Sequence, residues 1–208
     1  MLRFYIKLRV FVVLKAVCSF LTIIINKESE GKKMGQRVVV EELTPRSFSP
    51  FGAFIDLVVP NTESIGERPV TFFRDMAQLN LGGTTQASFS ICQVEERPAV
   101  VDKTEFHSHC GEAILPLDGD VLIHVAPATP GNKVPVEKIK IFRVRRGTLV
   151  ILKPGVWHHA PFFLKGEDEN FLEINVLIVL PERTYTNDCQ VVDLDKSQQV
   201  EIVLKTDA

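Results

Sequence analysis

From Met34 onward the apolar residues recur at every second position, in runs of strand length, and nowhere sustain a helical period. Side chains alternate faces along a strand but repeat every 3.6 residues along a helix, so this pattern restricts the chain to short β-strands. Ala87-Ser88-Phe89-Ser90-Ile91-Cys92 and Lys138-Ile139-Lys140-Ile141-Phe142-Arg143-Val144 carry the alternation, and residues 171–180 are nearly all apolar, as in a central strand. Turn signals separate the runs. Asp118-Gly119 reads as a tight hairpin between residues 112–117 and 120–125. Arg146-Gly147 and Pro154-Gly155 mark further turns, and residues 126–135 and 166–170 read as loops. Thr44-Pro45 reads as a helix cap and first helical residue, opening a short helix through Phe48. Asp75 to Leu79 reads as one more helical turn, and residues 200–204 as an edge strand. Many short antiparallel strands at this spacing imply a sandwich or a small barrel.

Charge and cysteine usage narrow the function. A net charge of -2 and a pI near 6.2 exclude the basic face that non-specific nucleic-acid binding requires. The four cysteines, Cys18, Cys92, Cys110 and Cys189, form no C-x-x-C pair and read as reduced thiols of a cytoplasmic protein. A chain of 208 residues suffices for one domain with a sizeable core.

Residues 1–33 stand apart. They are apolar but interrupted by Arg3, Lys7, Arg9 and Lys15, and the longest uncharged run, 16–26, is too short to span a bilayer. A secretory signal, a basic amphipathic surface helix and translated upstream sequence ahead of a start at Met34 all fit. We favour the last, which makes residues 34–208 the folded domain. The protein would be membrane-associated or secreted only if the extension is a true targeting segment.

The chemistry concentrates in Glu105-Phe106-His107-Ser108-His109-Cys110-Gly111-Glu112 and in Pro154-Gly155-Val156-Trp157-His158-His159. In an extended strand Glu105, His107 and His109 share one face. A carboxylate and two imidazoles are costly to bury unless something binds them, and a divalent metal does so. An exposed polar strand face is the competing reading. The second histidine cluster, behind its Pro-Gly turn, favours a pocket for a ligand or substrate. His124 lies in phase with Leu122, as a core histidine or a pocket residue. Arg143 and Arg145 share a face with Ile139 and Ile141, and either clamps a substrate carboxylate or lines a solvated edge.

His107-Ser108-His109 with Glu112, followed by Gly147, Pro154, Gly155 and His158, resembles the two motifs of the cupins, all-β proteins built as a double-stranded β-helix or jelly-roll barrel. Within the cupins, the chain resembles the ureidoglycolate lyase family. The resemblance rests on Glu105, His107, Glu112-Ala113-Ile114-Leu115-Pro116, Gly119, Val156-Trp157-His158-His159, the opening Glu42-Leu43 to Ile55, and Asn187-Asp188-Cys189. His109 and Asn175-Val176 depart from the family pattern.

This resemblance implies cleavage of (S)-ureidoglycolate to glyoxylate and urea, a homodimer, and a small-molecule substrate. It also implies a divalent ion, with zinc, nickel, manganese and iron all suited to a His/Glu site. His107, His109 and His158 are then the expected ligands, with Glu112 or Glu105 as the carboxylate. The remaining glutamate is the expected base, and Arg143, Arg145 and His124 are the expected substrate contacts. His159 takes a core role, or protonates the leaving urea if the backbone turns there. The rival functions are a cupin isomerase or dioxygenase acting on another small acid, and a non-catalytic binding barrel.

Overall fold

The computed structural model describes residues 35–166 and 172–205. The expected extension at residues 1–33 and most of the charged loop at 166–170 lie outside them. In chain order the elements begin with β1 (Arg37–Glu42), α1 (Pro45–Phe48), β2 (Gly52–Asp56), β3 (Ser64–Ile65), β4 (Phe72–Phe73) and β5 (Ala87–Glu95). There follow β6 (Val100–Val101), β7 (Lys103–Phe106), β8 (Glu112–Pro116), β9 (Val121–Val125), β10 (Lys140–Val144) and β11 (Thr148–Leu152). The described chain closes with β12 (Phe162–Phe163), β13 (Glu173–Pro181), α2 (Thr184–Asn187), β14 (Gln190–Asp193) and β15 (Val200–Val203). No helix among the described residues is long and apolar enough to cross a membrane.

Two sheets form the body, one ordered β12-β9-β10-β1-β15-β6 and the other β2-β11-β8-β13-β5. Most successive strands cross from one sheet to the other, while β9 and β10 are an adjacent antiparallel pair within one sheet. Alternation decides which side chains fill the space between the sheets. Ile114, Val150, Leu152, Ile174 and Val176 meet Val121, Ile123, Phe142 and Val144 there. Each such side chain contributes about 1.5–3 kcal/mol by leaving water.

Helix α1 plugs one part of this core. Thr44 Oγ1 accepts from the Ser47 amide at 3.1 Å, and the Thr44 amide in return donates to Ser47 Oγ at 3.2 Å. That reciprocal cap fixes the turn and drives Phe48 against Phe142, ring centroids 5.2 Å apart and nearly perpendicular. A second core lies on the other face of β9 and β10, where Leu122, Ile141, Trp157, Phe162, Val101 and Val200 pack.

Three local readings are corrected. Asp118-Gly119 does not make a hairpin, because β8 and β9 belong to different sheets. The Asp118 carboxylate takes both the backbone and side-chain N–H of Asn175, which pins the corner to β13. A side chain on Gly119 would meet Ile174 at 2.9 Å, so glycine serves close approach here. Residues 200–203 form an interior strand, paired in parallel with β1 and antiparallel with β6. Residues 75–79 have no regular structure.

Candidate active site

Strand β7 ends at Phe106, just before the first histidine, and its last turnable residues are tied to the second cluster. The Glu105 amide donates to the His158 carbonyl at 2.6 Å, and the His158 amide returns to the Glu105 carbonyl at 2.8 Å. Gly155, at φ 79°, donates its amide to the His107 carbonyl at 2.6 Å. That positive φ favours glycine and lets the Pro154-Gly155 turn fold back onto the histidine segment. Two motifs distant in the chain thus become neighbours. Glu112, the first residue of β8 and in phase with the core residue Ile114, arrives from the five-stranded sheet.

Four groups meet there. Glu105, His107 and His158 each offer a ligand atom, all within 4.8 Å of one another. Glu112 Oε2 lies 3.1 Å from His107 Nε2 and 2.9 Å from His158 Nε2. The tautomers follow from the far side of each ring. His107 Nδ1 is 2.6 Å from the Asp188 carbonyl oxygen and His158 Nδ1 is 2.9 Å from that of Val156. Carbonyl oxygens only accept, so both Nδ1 atoms carry protons. Both Nε2 atoms then point at one carboxylate oxygen. Either the imidazoles are doubly protonated and donate to it, or lone pairs face lone pairs and a cation belongs between them. Carbonyls that hold the Nδ1 protons and leave Nε2 inward are the usual support of a metal-binding imidazole.

The electrostatics describe the protonated alternative. Burial would raise Glu112, but the charge of His158 and the bonds from both imidazoles outweigh it and hold the carboxyl at about 2. Burial would lower His158, yet Glu112 beside it raises the imidazole to about 9.

Glu105 is half-buried at the rim. The Cys189 thiol donates to its Oε2 at 3.2 Å, and His159 Nδ1 stands 3.9 Å from its Oε1. Burial raises Cys189 to about 12, with Glu105 adding to the shift. The backbone does turn after His158, and the Ala160 amide donates to His159 Nδ1 at 2.6 Å, leaving Nε2 to carry the ring proton. Burial pushes His159 below its ordinary value, Glu105 opposes the shift, and Arg97 and His158 add to it.

Several expected residues lie elsewhere. His109 does not share the His107 face, because the strand stops at Phe106; its side chain is 79% exposed and rests on Asp188 at 3.1 Å. Arg143 donates Nε and Nη2 to Asp120, and Arg145 pairs with Glu42, so the barrel surface occupies both cations. His124 is wholly buried behind Thr104 and presents nothing to a substrate. The sequence reading placed Asp188 in a family motif but gave it no role; its carboxylate takes the amides of Ser108 and His109, both at 2.8 Å, while its carbonyl holds His107. The reading missed Arg97, which donates to the carbonyls of Ala160 and Pro161 and lies 4.0 Å over the Phe162 ring. No local spacing signals either role.

A profile described as ureidoglycolate lyase matches residues 35–201, a span that holds every group of this cluster. The chain belongs to the ureidoglycolate lyase family. The ureidoglycolate lyase of Rhodobacter capsulatus is 32% identical over 125 residues, covering 59% of this chain and 76% of that one. That of Azotobacter vinelandii is 27% identical over 140 residues, covering 65% and 82%. Among solved structures, a dTDP sugar isomerase from Desulfovibrio desulfuricans aligns at 15% identity and a TM-score of 0.41, covering 70% of this chain and 87% of that one. Membership of the ureidoglycolate lyase family makes the protein an enzyme of the lyase type.

Proposed function

We propose that this protein cleaves (S)-ureidoglycolate to glyoxylate and urea, using a divalent ion held by His107, His158 and Glu112. The convergence of both Nε2 atoms on one Glu112 oxygen, with both Nδ1 protons held by carbonyls, is the observation that carries the reading. Family membership and the names of the relatives supply the substrate.

The reaction is the collapse of a carbinolamine. The substrate hydroxyl loses its proton, a carbon-oxygen double bond forms, the carbon-nitrogen bond breaks, and the departing nitrogen takes a proton to become urea. A bound divalent ion would supply Lewis acidity, drawing the substrate carboxylate and hydroxyl together and lowering the hydroxyl pKa. Glu105 stands on the rim within reach of the same point and takes the hydroxyl proton. Glu105 then passes that proton to the leaving nitrogen, while His159, neutral with its ring proton on Nε2 and its Nδ1 accepting from the Ala160 amide, steadies that nitrogen as a hydrogen-bond donor. Glu112, held ionised at the bottom of the site, is the poorer base and the better ligand.

The cytoplasmic setting and the homodimer are part of the same proposal. Cys92, Cys110 and Cys189 are unpaired, which suits a reducing compartment. The outer face of the β5/β13/β8 sheet carries Phe89, Ile91, Leu177, Val179 and Leu115 side by side, with Phe89 72% and Ile91 54% exposed. Such an uncharged apolar sheet face suits a second copy.

Racemic ureidoglycolate tests the function. With the ion supplied, the protein is expected to release urea and glyoxylate in equal amounts and stop when half the substrate is gone. Release no faster than the spontaneous rate would refute the assignment.

A further inference from the structure

We propose that Thr104 and His124 act as positioning residues, a buried strut that holds the His158 carbonyl and thereby sets the spacing of Glu105 and His158. The inference rests on the reading of the centre given above.

The His158 carbonyl oxygen is doubly engaged. It accepts from the Glu105 amide at 2.6 Å and from Thr104 Oγ1 at 3.2 Å. Thr104 has a single hydroxyl proton, and the carbonyl, which cannot donate, takes it. The 3.1 Å contact between Thr104 Oγ1 and His124 Nε2 must therefore run the other way, with His124 donating. This places the His124 proton on Nε2 and leaves Nδ1 bare.

That tautomer costs stability. His124 is 1% exposed, and its Nδ1 is the buried side-chain nitrogen or oxygen without a partner among the described residues. An orphaned buried acceptor costs about 1–3 kcal/mol. Its neighbours Leu122, Ile141 and Phe162 are apolar, so a leucine or phenylalanine would seem the cheaper choice. The one bond the imidazole makes aims the Thr104 hydroxyl at His158. Protonation cannot relieve the orphan, since burial first, then the charges of His158, His159 and Arg97, keep the ring neutral.

Without the strut, the Glu105–His158 bridge keeps its own two amide bonds but gains freedom to tilt. Metal sites lose about tenfold to a hundredfold in affinity when a supporting hydrogen bond is removed. The test uses Thr104→Val and His124→Phe, which delete the bonds, and Thr104→Ser and His124→Gln, which keep a donor or hydroxyl in place. Zinc affinity is measured by competition with a chromophoric chelator. Amide hydrogen exchange at Glu105 and His158 is measured on chelator-treated protein, alongside the thermal midpoint.

Thr104→Val and His124→Phe are expected to weaken zinc binding by about tenfold or more and to speed exchange at those two amides selectively. Thr104→Ser and His124→Gln should stay near wild type, and the double deletion should be no worse than either single one. A lower thermal midpoint with uniformly faster exchange and unchanged zinc affinity would overturn the strut. Should the wild type bind no zinc, the reading of the centre fails, and selective or uniform exchange in the metal-free protein still decides this inference.

Discussion

Glu112 Oε2 lies 2.9 Å from His158 Nε2, both side chains buried. Breaking a buried pair by neutralising one member typically costs about 3–5 kcal/mol. In metal-free protein, Glu112→Gln is therefore expected to lower the denaturant midpoint markedly, and to abolish stoichiometric ion binding by equilibrium dialysis.

Glu105→Gln should behave differently. The rim carboxylate is assigned the proton transfer, so this variant is expected to keep its ion and lose urea release by about 10²-fold or more. Loss of the ion instead would make Glu105 the ligand, as its place within 4.8 Å of both imidazoles permits.

The stability of chelator-treated protein should depend on pH with a definite sign. His158 is raised from 6.5 to about 9 on folding, so its contribution is complete below pH 6.5 and is lost as pH climbs toward 9. Glu112 is lowered from 4.5 to about 2, so its contribution is complete above pH 4.5 and is lost as pH falls toward 2. The thermal midpoint of the metal-free protein is expected to be highest between about pH 4.5 and 6.5. In His158→Gln the decline on the alkaline side should flatten.

Cys189 reports on Glu105. Burial and the neighbouring carboxylate hold its thiol at about 12, so alkylation by iodoacetamide at pH 8 should be slow. Glu105→Gln removes the charge and is expected to speed alkylation at Cys189 severalfold, with Cys110, raised to about 11 chiefly by burial, unaffected. Peptide mapping by mass spectrometry distinguishes the two.

The proposed dimer face can be tested directly. Phe89→Lys and Ile91→Lys place charges on an exposed apolar patch at little cost to the fold. Both are expected to shift sedimentation from dimer to monomer. A wild-type monomer would refute this part of the proposal.

Much of the fold was legible because β-alternation is a local property. The strands around Ile91, Ile141 and Val150 and the capped turn at Thr44 need only their own neighbours to be recognised. The errors come from relations between strands. Asp118-Gly119 has hairpin chemistry, yet Asn175 from a distant strand captures the aspartate and turns the chain to the other sheet. His109 fails for the same kind of reason. Face alternation holds only while a strand lasts, and Asp188 draws residues 108 and 109 out of register. His107, His158 and Glu112 were identifiable by residue type and motif. The roles of Thr104 and Asp188 were not, because a threonine hydroxyl or a backbone carbonyl takes its meaning from what lies across a 50- or 80-residue gap.

Reconstitution tests the central claim most directly. Chelator-treated protein is titrated with a divalent ion while urea release from ureidoglycolate is followed. The rate should start at the spontaneous value, rise in proportion to added ion and stop rising at one equivalent per chain. Full activity before any ion is added, or none at saturation, would contradict a lyase centre built on His107, Glu112 and His158.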